Sequence, residues 1–315
     1  MEAIGGYFEL ELGNGEGCYH KDAIPLNSAR NCFEYILIAR NYRRVYIPYY
    51  TCEVLLQPLL KHHVEYEYYS INERLEPTRQ VRLSENEAFF YTNYFGLKQN
   101  CIERLAVLYG SQLIVDNAQA FYAPPIKGID TFYSPRKYFG VPDGGYLYTD
   151  CLLEQNFPLD RSLDRTNHLL IRMEDGAEKG YSFFKQADES LDNQSIHRMS
   201  VLTKRILRAV DYDKSAAKRR ANFEHLHRIF RGSNQLLIEC EKGTVPMVYP
   251  FYVENQNLRD KLIKEKVFVA QYWPNVLKWC SEDMLEYKLT NHIIALPIDQ
   301  RYGSEEMDYI IKLLV

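Results

Sequence analysis

Short apolar runs of strand length alternate with stretches of helical period through the first half of this chain, and that alternation leaves few folds open. Val45-Tyr-Ile-Pro48, Val64 to Tyr69, Ala88-Phe-Phe-Tyr91, Leu113-Ile-Val115, Thr131 to Tyr133 and Gly145 to Tyr148 read as strands. Between them, Asn27 to Arg40, Val54 to Leu60 and Ile102 to Tyr109 read as helices. Ser28 can cap the first, Pro58 bends the second and Gly110 stops the third. Strands spaced by helices predict an α/β fold, a mostly parallel sheet with helices on both faces.

At 315 residues the chain is long enough for one large domain and a smaller one. We expect a large domain over residues 1–200 and a small C-terminal α/β domain over 201–315. The segment from Asp150 to about Ser200 is polar and charged, and it is expected to be a long excursion with little regular structure. Beyond it, Met199 to Val210 and Lys214 to Phe230 read as consecutive helices. The tail alternates again: Val245 to Val253 strand, Asn257 to Glu265 helix, Phe268 to Tyr272 strand, Ile293 to Leu296 strand and Glu305 to Leu314 helix. No internal repeat or low-complexity tract interrupts it.

A formal net charge of -4 gives no electrostatic reason to expect nucleic acid or an acidic membrane as a partner. No stretch is long and apolar enough to span a bilayer, and no basic head precedes an apolar run at the start. The seven cysteines are scattered without a CxxC pair, which suggests reduced thiols. A soluble, cytoplasmic protein is therefore expected. His62-His63 has no further ligands at zinc spacing, and Gly13-Asn-Gly15-Glu-Gly17 lacks both the GxGxxG pattern and a preceding buried strand. There is no GxSxG elbow, and Cys52 has no evident histidine partner.

Two strand ends carry the chemistry. Leu113-Ile-Val-Asp116-Asn-Ala-Gln119 delivers an acid, and Ser134-Pro-Arg-Lys137 delivers an amine ahead of the turn Pro142-Asp143-Gly144-Gly145. Strand ends are where α/β enzymes build their sites. An acid and a lysine in one crevice are the two groups pyridoxal phosphate (PLP) asks of a protein, the lysine for an imine and the acid for the pyridine nitrogen. Read alone, Lys137 equally suits an exposed residue beside a turn, and Asp116 a turn former. Gln119 could reach the ring oxygen, or cap the segment. Ser28, with the amides of Ala29 and Arg30 at the start of the first helix, makes a phosphate seat or a plain N-cap. Ser134 and Arg136 could add to that seat. The chain holds 26 tyrosines, and Tyr46, Tyr49, Tyr50, Tyr91 and Tyr94 could stack on a planar ligand or fill half-buried strands.

Together these segments resemble the PLP-dependent aminotransferases of fold type I, in particular the DegT/DnrJ/EryC1/StrS group of sugar-nucleotide aminotransferases. Asp116-Asn-Ala-Gln119 resembles that group's Asp-x-Ala-Gln segment, and Lys137 followed by Asp143-Gly144-Gly145 reproduces its lysine-to-glycine spacing. Asn27-Ser-Ala-Arg30 is similar to its phosphate-binding helix start, Pro48-Tyr-Tyr-Thr51 to the strand end after it, and Lys218 to Phe223 to the helix entering its small domain. The chain also departs from the group. Cys52 stands where an aromatic ring usually covers the cofactor, so Tyr50, Tyr91 or Tyr94 would stack instead. Phe132 replaces a serine, leaving Ser134 as the nearest hydroxyl, and residues 150–200 match poorly.

The resemblance implies a homodimer with shared active sites that moves an amino group, from glutamate, to a keto-sugar nucleotide in deoxysugar or surface-polysaccharide synthesis. In that reading Lys137 holds PLP, Asp116 pairs with the ring nitrogen, Gln119 with the ring oxygen, and Ser134, Ser28, Ala29 and Arg30 hold the phosphate, with Tyr94 a candidate stacking ring. Two alternatives remain: the same scaffold running another PLP reaction, such as a dehydration that would replace the lysine by histidine, or a non-catalytic relative that binds a sugar nucleotide.

Overall fold

The computed structural model describes residues 6–13, 15, 17–255 and 257–315. Seven strands make the main sheet: β1 (Ile24–Leu26), β2 (Arg44–Pro48), β3 (Glu65–Tyr69), β4 (Glu87–Thr92), β5 (Leu113–Asn117), β6 (Asp130–Tyr133) and β7 (Gly145–Tyr148). Their order is β1-β7-β6-β5-β4-β2-β3. β2 to β6 pair in parallel, whereas β7 runs antiparallel to both of its neighbours.

The sheet is buried on both faces, and the period-two alternation of its side chains assigns each residue to one of two cores. Ala88 and Phe90 of β4 and Ile114 of β5 pack with Phe33, Ile36 and Leu37 of the helix Ala29–Arg40. Phe89 and Tyr91 of β4 and Leu113 and Val115 of β5 face the other way, onto Leu105 and Tyr109 of the helix Gln99–Tyr109. This double burial explains the near-continuous apolar strands that the sequence shows.

The C-terminal elements form a third core. β8 (Val248–Tyr252) and β9 (Ile293–Pro297) pair antiparallel. Against them pack Phe223 and Leu226 of the helix Tyr212–Phe230, Leu262 of Asn257–Lys264, and Met307 and Ile310 of Ser304–Leu314. Val248, Trp273, Ile293 and Ala295 instead join the core beneath the main sheet, so the two parts are packed together.

Two expectations are corrected. The segment from Asp150 to Ser200 is not an irregular excursion, because it carries a helical hairpin, Asn167–Asp175 and Ala177–Glu189, turned at Gly176 with φ +93°. Its apolar residues, Leu170, Met173, Tyr181 and Phe184 among them, are exposed. With only Gly180 and Ala187 buried along the pair, its helical stripe leads to no core of this chain. Phe268 to Tyr272 is not a strand either. A single bridge from Ala270 to Ala295 is all that joins it to β9. Among the described residues no helix is long and apolar enough to cross a membrane.

Candidate active site

Register brings the acid and the lysine to one edge. Asn117 pairs with Tyr133, so β5 and β6 end level with each other. Asp116 sits just before the end of β5, and β6 runs through Ser134 into a single 3-10 turn, Pro135–Lys137. The helix Ala29–Arg40 begins beside them. Ser28 caps it in extended backbone (φ -156°, ψ 161°), its hydroxyl accepting from the Asn31 N–H at 3.1 Å. The glycine pair sets how close that helix start can come. Gly144 has φ +121° and donates its N–H to Asn27 O at 2.6 Å. A Cβ on Gly145 would lie 2.5 Å from Ser28 O, so only glycine allows this approach.

These elements enclose a cavity of ≈ 150 Å³. Asp116 and Lys137 both line it. The Asp116 carboxylate is buried and accepts the Ala118 N–H at 2.8 Å. Burial raises its pKa above the ordinary carboxylate value, while the Lys137 charge and the Ala118 N–H pull it back down. Lys137 itself is an exposed residue. Ser28, Ala29, Arg30, Ser134 and Arg136 line the same cavity. Arg136 pairs with Asp188 of the helical hairpin at 3.0 Å, and Arg30 pairs with Asp192 just beyond it. Burial lowers the Arg136 pKa against the pull of Asp188, and the Arg30 charge nearby adds to that depression. The lining thus includes a helix N-terminus, the Ser134 hydroxyl and two guanidinium groups, donors suited to a phosphate, whereas the Ser28 hydroxyl already donates to Asn31 Oδ1 at 2.5 Å.

The structure does not bring every anticipated residue to this cavity. Tyr94 is fully buried outside its lining, with its hydroxyl donated to Tyr50 O at 3.0 Å and its ring against Tyr50 and Tyr91. Gln119 is also fully buried outside the lining. Its Oε1 accepts the Phe95 N–H at 2.8 Å, and its Nε2 has no partner. Trp273 supplies the aromatic wall that the sequence left unassigned, next to Cys52, whose thiol pKa burial pushes up. Its ring meets Tyr50 edge-on at 5.0 Å. No local pattern could have found Trp273, because it lies in a C-terminal segment with no motif of its own. Asp188 was hidden by the reading of its segment as irregular. Asp143 of the glycine turn is a cap rather than a cavity group. It accepts from the Ser200 N–H at 2.9 Å, the Ser200 hydroxyl at 2.7 Å and the Thr203 hydroxyl, fixing the start of the helix Val201–Arg208.

Comparison with known proteins gives no match to any family model and none to a curated protein. Solved structures do match, across nearly the whole chain. A DegT/DnrJ/EryC1/StrS aminotransferase from Brucella abortus is 16% identical, with TM-score 0.60 over 93% of this chain and 84% of that one. This chain has the fold of those aminotransferases. A proposed sugar aminotransferase from Streptococcus pneumoniae in its PLP form is 14% identical, with TM-score 0.60 over 92% of this chain and 85% of that one. A GDP-4-keto-6-deoxymannose-3-dehydratase with bound GDP-perosamine is 13% identical, with TM-score 0.63 over 93% of this chain and 88% of that one. At 13–16% identity the likeness to these structures is one of fold.

Proposed function

We propose that this protein is a PLP-dependent aminotransferase that transfers an amino group, from glutamate, to a keto-sugar nucleotide in deoxysugar or surface-polysaccharide synthesis. The observation that carries the reading is Asp116 and Lys137 lining one cavity together with Ser28, Ala29, Arg30, Ser134 and Arg136. The donor set fits the cofactor: an amine for its aldehyde, an acid for its pyridine nitrogen and a cationic helix start for its phosphate. When bound, PLP supplies a carbonyl that accepts amino groups and a ring that draws electrons from the carbon being deprotonated.

The protein's own residues do the rest. Asp116, as a carboxylate, keeps a proton on the ring nitrogen, and the Lys137 charge and the Ala118 N–H favour that ionised form against the effect of burial. Lys137 Nζ holds the cofactor and, once released, takes a proton from the substrate carbon and returns it to the neighbouring one. Ser28, Ser134, Arg30, Arg136 and the first amides of the helix hold the phosphate. Trp273 walls the cavity. The exposed apolar side of the hairpin and the open position of Lys137 support a homodimer in which a second copy covers the site. A protein of this kind would work in the cytoplasm.

The test is PLP addition to the purified protein, followed by borohydride reduction and mass spectrometry. A pyridoxyl label on Lys137 is expected, and a colourless, unlabelled protein refutes the proposal. Release of 2-oxoglutarate when glutamate is added to the loaded protein is expected next. A loaded protein that never releases it would be a binding relative and not an aminotransferase. A panel of keto-sugar nucleotides then identifies the acceptor.

A further inference from the structure

The turn that carries Lys137 is located mainly through the residue after it. Tyr138 is buried and held at three points. Its hydroxyl donates to Gln119 O at 2.7 Å, tying the lysine turn to the segment that follows Asp116. Its carbonyl accepts from Gln300 Nε2 at 2.8 Å and from Arg219 Nη2 at 3.3 Å. Its ring lies under the Arg219 guanidinium, 4.4 Å from Cζ to the ring centroid.

Arg219 is an unusual residue to find there. It belongs to the helix Tyr212–Phe230 and is 1% exposed. Its hydrogen bonds run to Gln300 Oε1 at 2.9 Å, Met247 O at 3.0 Å and Tyr138 O, none of them a carboxylate. With hydrogen bonds only to neutral acceptors and Asp299 acting on it by charge alone, this guanidinium recovers little of its desolvation cost, and an apolar side chain of similar volume would fill the space without that cost. What only the planar fork provides is simultaneous reach to two main-chain carbonyls and a ring face.

We infer that Arg219 is a positioning residue for Lys137: acting through Tyr138, it fixes the turn that presents the lysine amine to the cavity it shares with Asp116. The inference rests on the proposed PLP reading. Asp116, Gln119, Tyr138 and Arg219 then form one strut from the end of β5 to the C-terminal elements, with Lys137 attached midway. Loss of Arg219 leaves the Tyr138 carbonyl to Gln300 alone, removes the bond that orients Gln300 and takes the cation from the Tyr138 ring, which lets the turn drift while the acid and the phosphate-seat residues stay in place. A displacement of about 1 Å at a reacting group costs roughly 10²-fold in rate, so attachment at the lysine suffers far more than retention of the cofactor.

The experiment separates those two quantities. Wild type, Arg219→Met and Gln300→Leu are equilibrated with PLP. Bound PLP is measured by ultrafiltration, the fraction fixed to Lys137 by borohydride and mass spectrometry, and the pH midpoint of fixation is recorded. For Arg219→Met the bound amount is expected to stay within about twofold at saturation, while the initial rate of fixation falls on the order of tenfold or more and its pH midpoint moves. Gln300→Leu, which removes the other donor to the Tyr138 carbonyl, should show the same pattern more weakly. A folded Arg219→Met protein fixed like wild type overturns the inference, as does one that loses bound and fixed PLP together. If circular dichroism shows that Arg219→Met does not fold, Gln300→Leu decides, and wild-type fixation in it overturns the inference. A wild-type protein that fixes no PLP overturns the functional reading itself.

Discussion

Lys137 and Asp116 are coupled by charge as well as by place, and that coupling makes the exchange of either one informative. Lys137→Ala should remove borohydride-fixed PLP and lower amino transfer by roughly 10²–10⁴-fold, the usual contribution of a positioned acid–base group, with circular dichroism unchanged. The same variant removes a charge that holds the Asp116 pKa down, so that pKa should rise further. Carboxylate titration by infrared difference spectroscopy checks it. His20 offers a second, independent reading at this scale. It is buried among Tyr133, Tyr146 and Phe121, its Nε2 on Phe121 O at 2.8 Å, and burial lowers its pKa from 6.5 to about 4. Because the folded-state pKa lies below the unfolded one, the unfolded chain takes up the proton first as pH falls. Stability from this group is therefore complete above about pH 6.5, declines between 6.5 and about 4, and is lost below that. The loss is on the order of 2–3 kcal/mol. Denaturant unfolding at pH 7 and pH 4.5 should show it in wild type, and His20→Phe should remove that portion of the pH dependence.

The first helix shows how much an element can announce locally. Its cap and its helical period depend on residues a few positions apart, so Ser28 at the start and the helix from Asn27 to Arg40 were legible before any fold was known. Ser28→Ala should cost about 1 kcal/mol in unfolding free energy and, on the proposed reading in which this helix start seats the phosphate, weaken PLP binding as well. The helical hairpin shows the opposite. Its periodic stripe points outward, and Gly176 cuts it into two short pieces, so neither period nor length stood out in the polar sequence. Its Asp188 meets Arg136 at the cavity, and Asp192 just beyond it meets Arg30. Asp188→Asn leaves Arg136 with more of its charge for an incoming phosphate. PLP affinity, measured by ultrafiltration, should therefore rise several-fold rather than fall.

At the scale of the molecule, the exposed apolar side of that hairpin is the main feature the single chain leaves uncovered. Met173 is 79% and Tyr181 57% exposed, within a stripe that also contains Leu170 and Phe184. Stripes of this kind on a folded protein mark contact surfaces. If a second copy covers it, the double substitution Met173→Glu and Tyr181→Glu should shift sedimentation velocity from dimer to monomer. It should also reduce amino transfer, with the far-ultraviolet spectrum unaffected.

The alternation of strand and helix, the capped first helix, and the acid and lysine at two strand ends were all present in the chain as written, because each depends on neighbours along the backbone. Tyr94 and Gln119 show the limit of that information. Both follow strand ends and both looked suited to a ligand, yet packing put Tyr94 on the Tyr50 carbonyl and Gln119 on the Phe95 amide. Trp273 beside Cys52, and Arg219 over Tyr138, come from the far end of the chain into the neighbourhood of Lys137. Their places follow from how the C-terminal elements seat against the main sheet. That seating is a sum of many weak contacts between residues remote in sequence, and no local pattern encodes it.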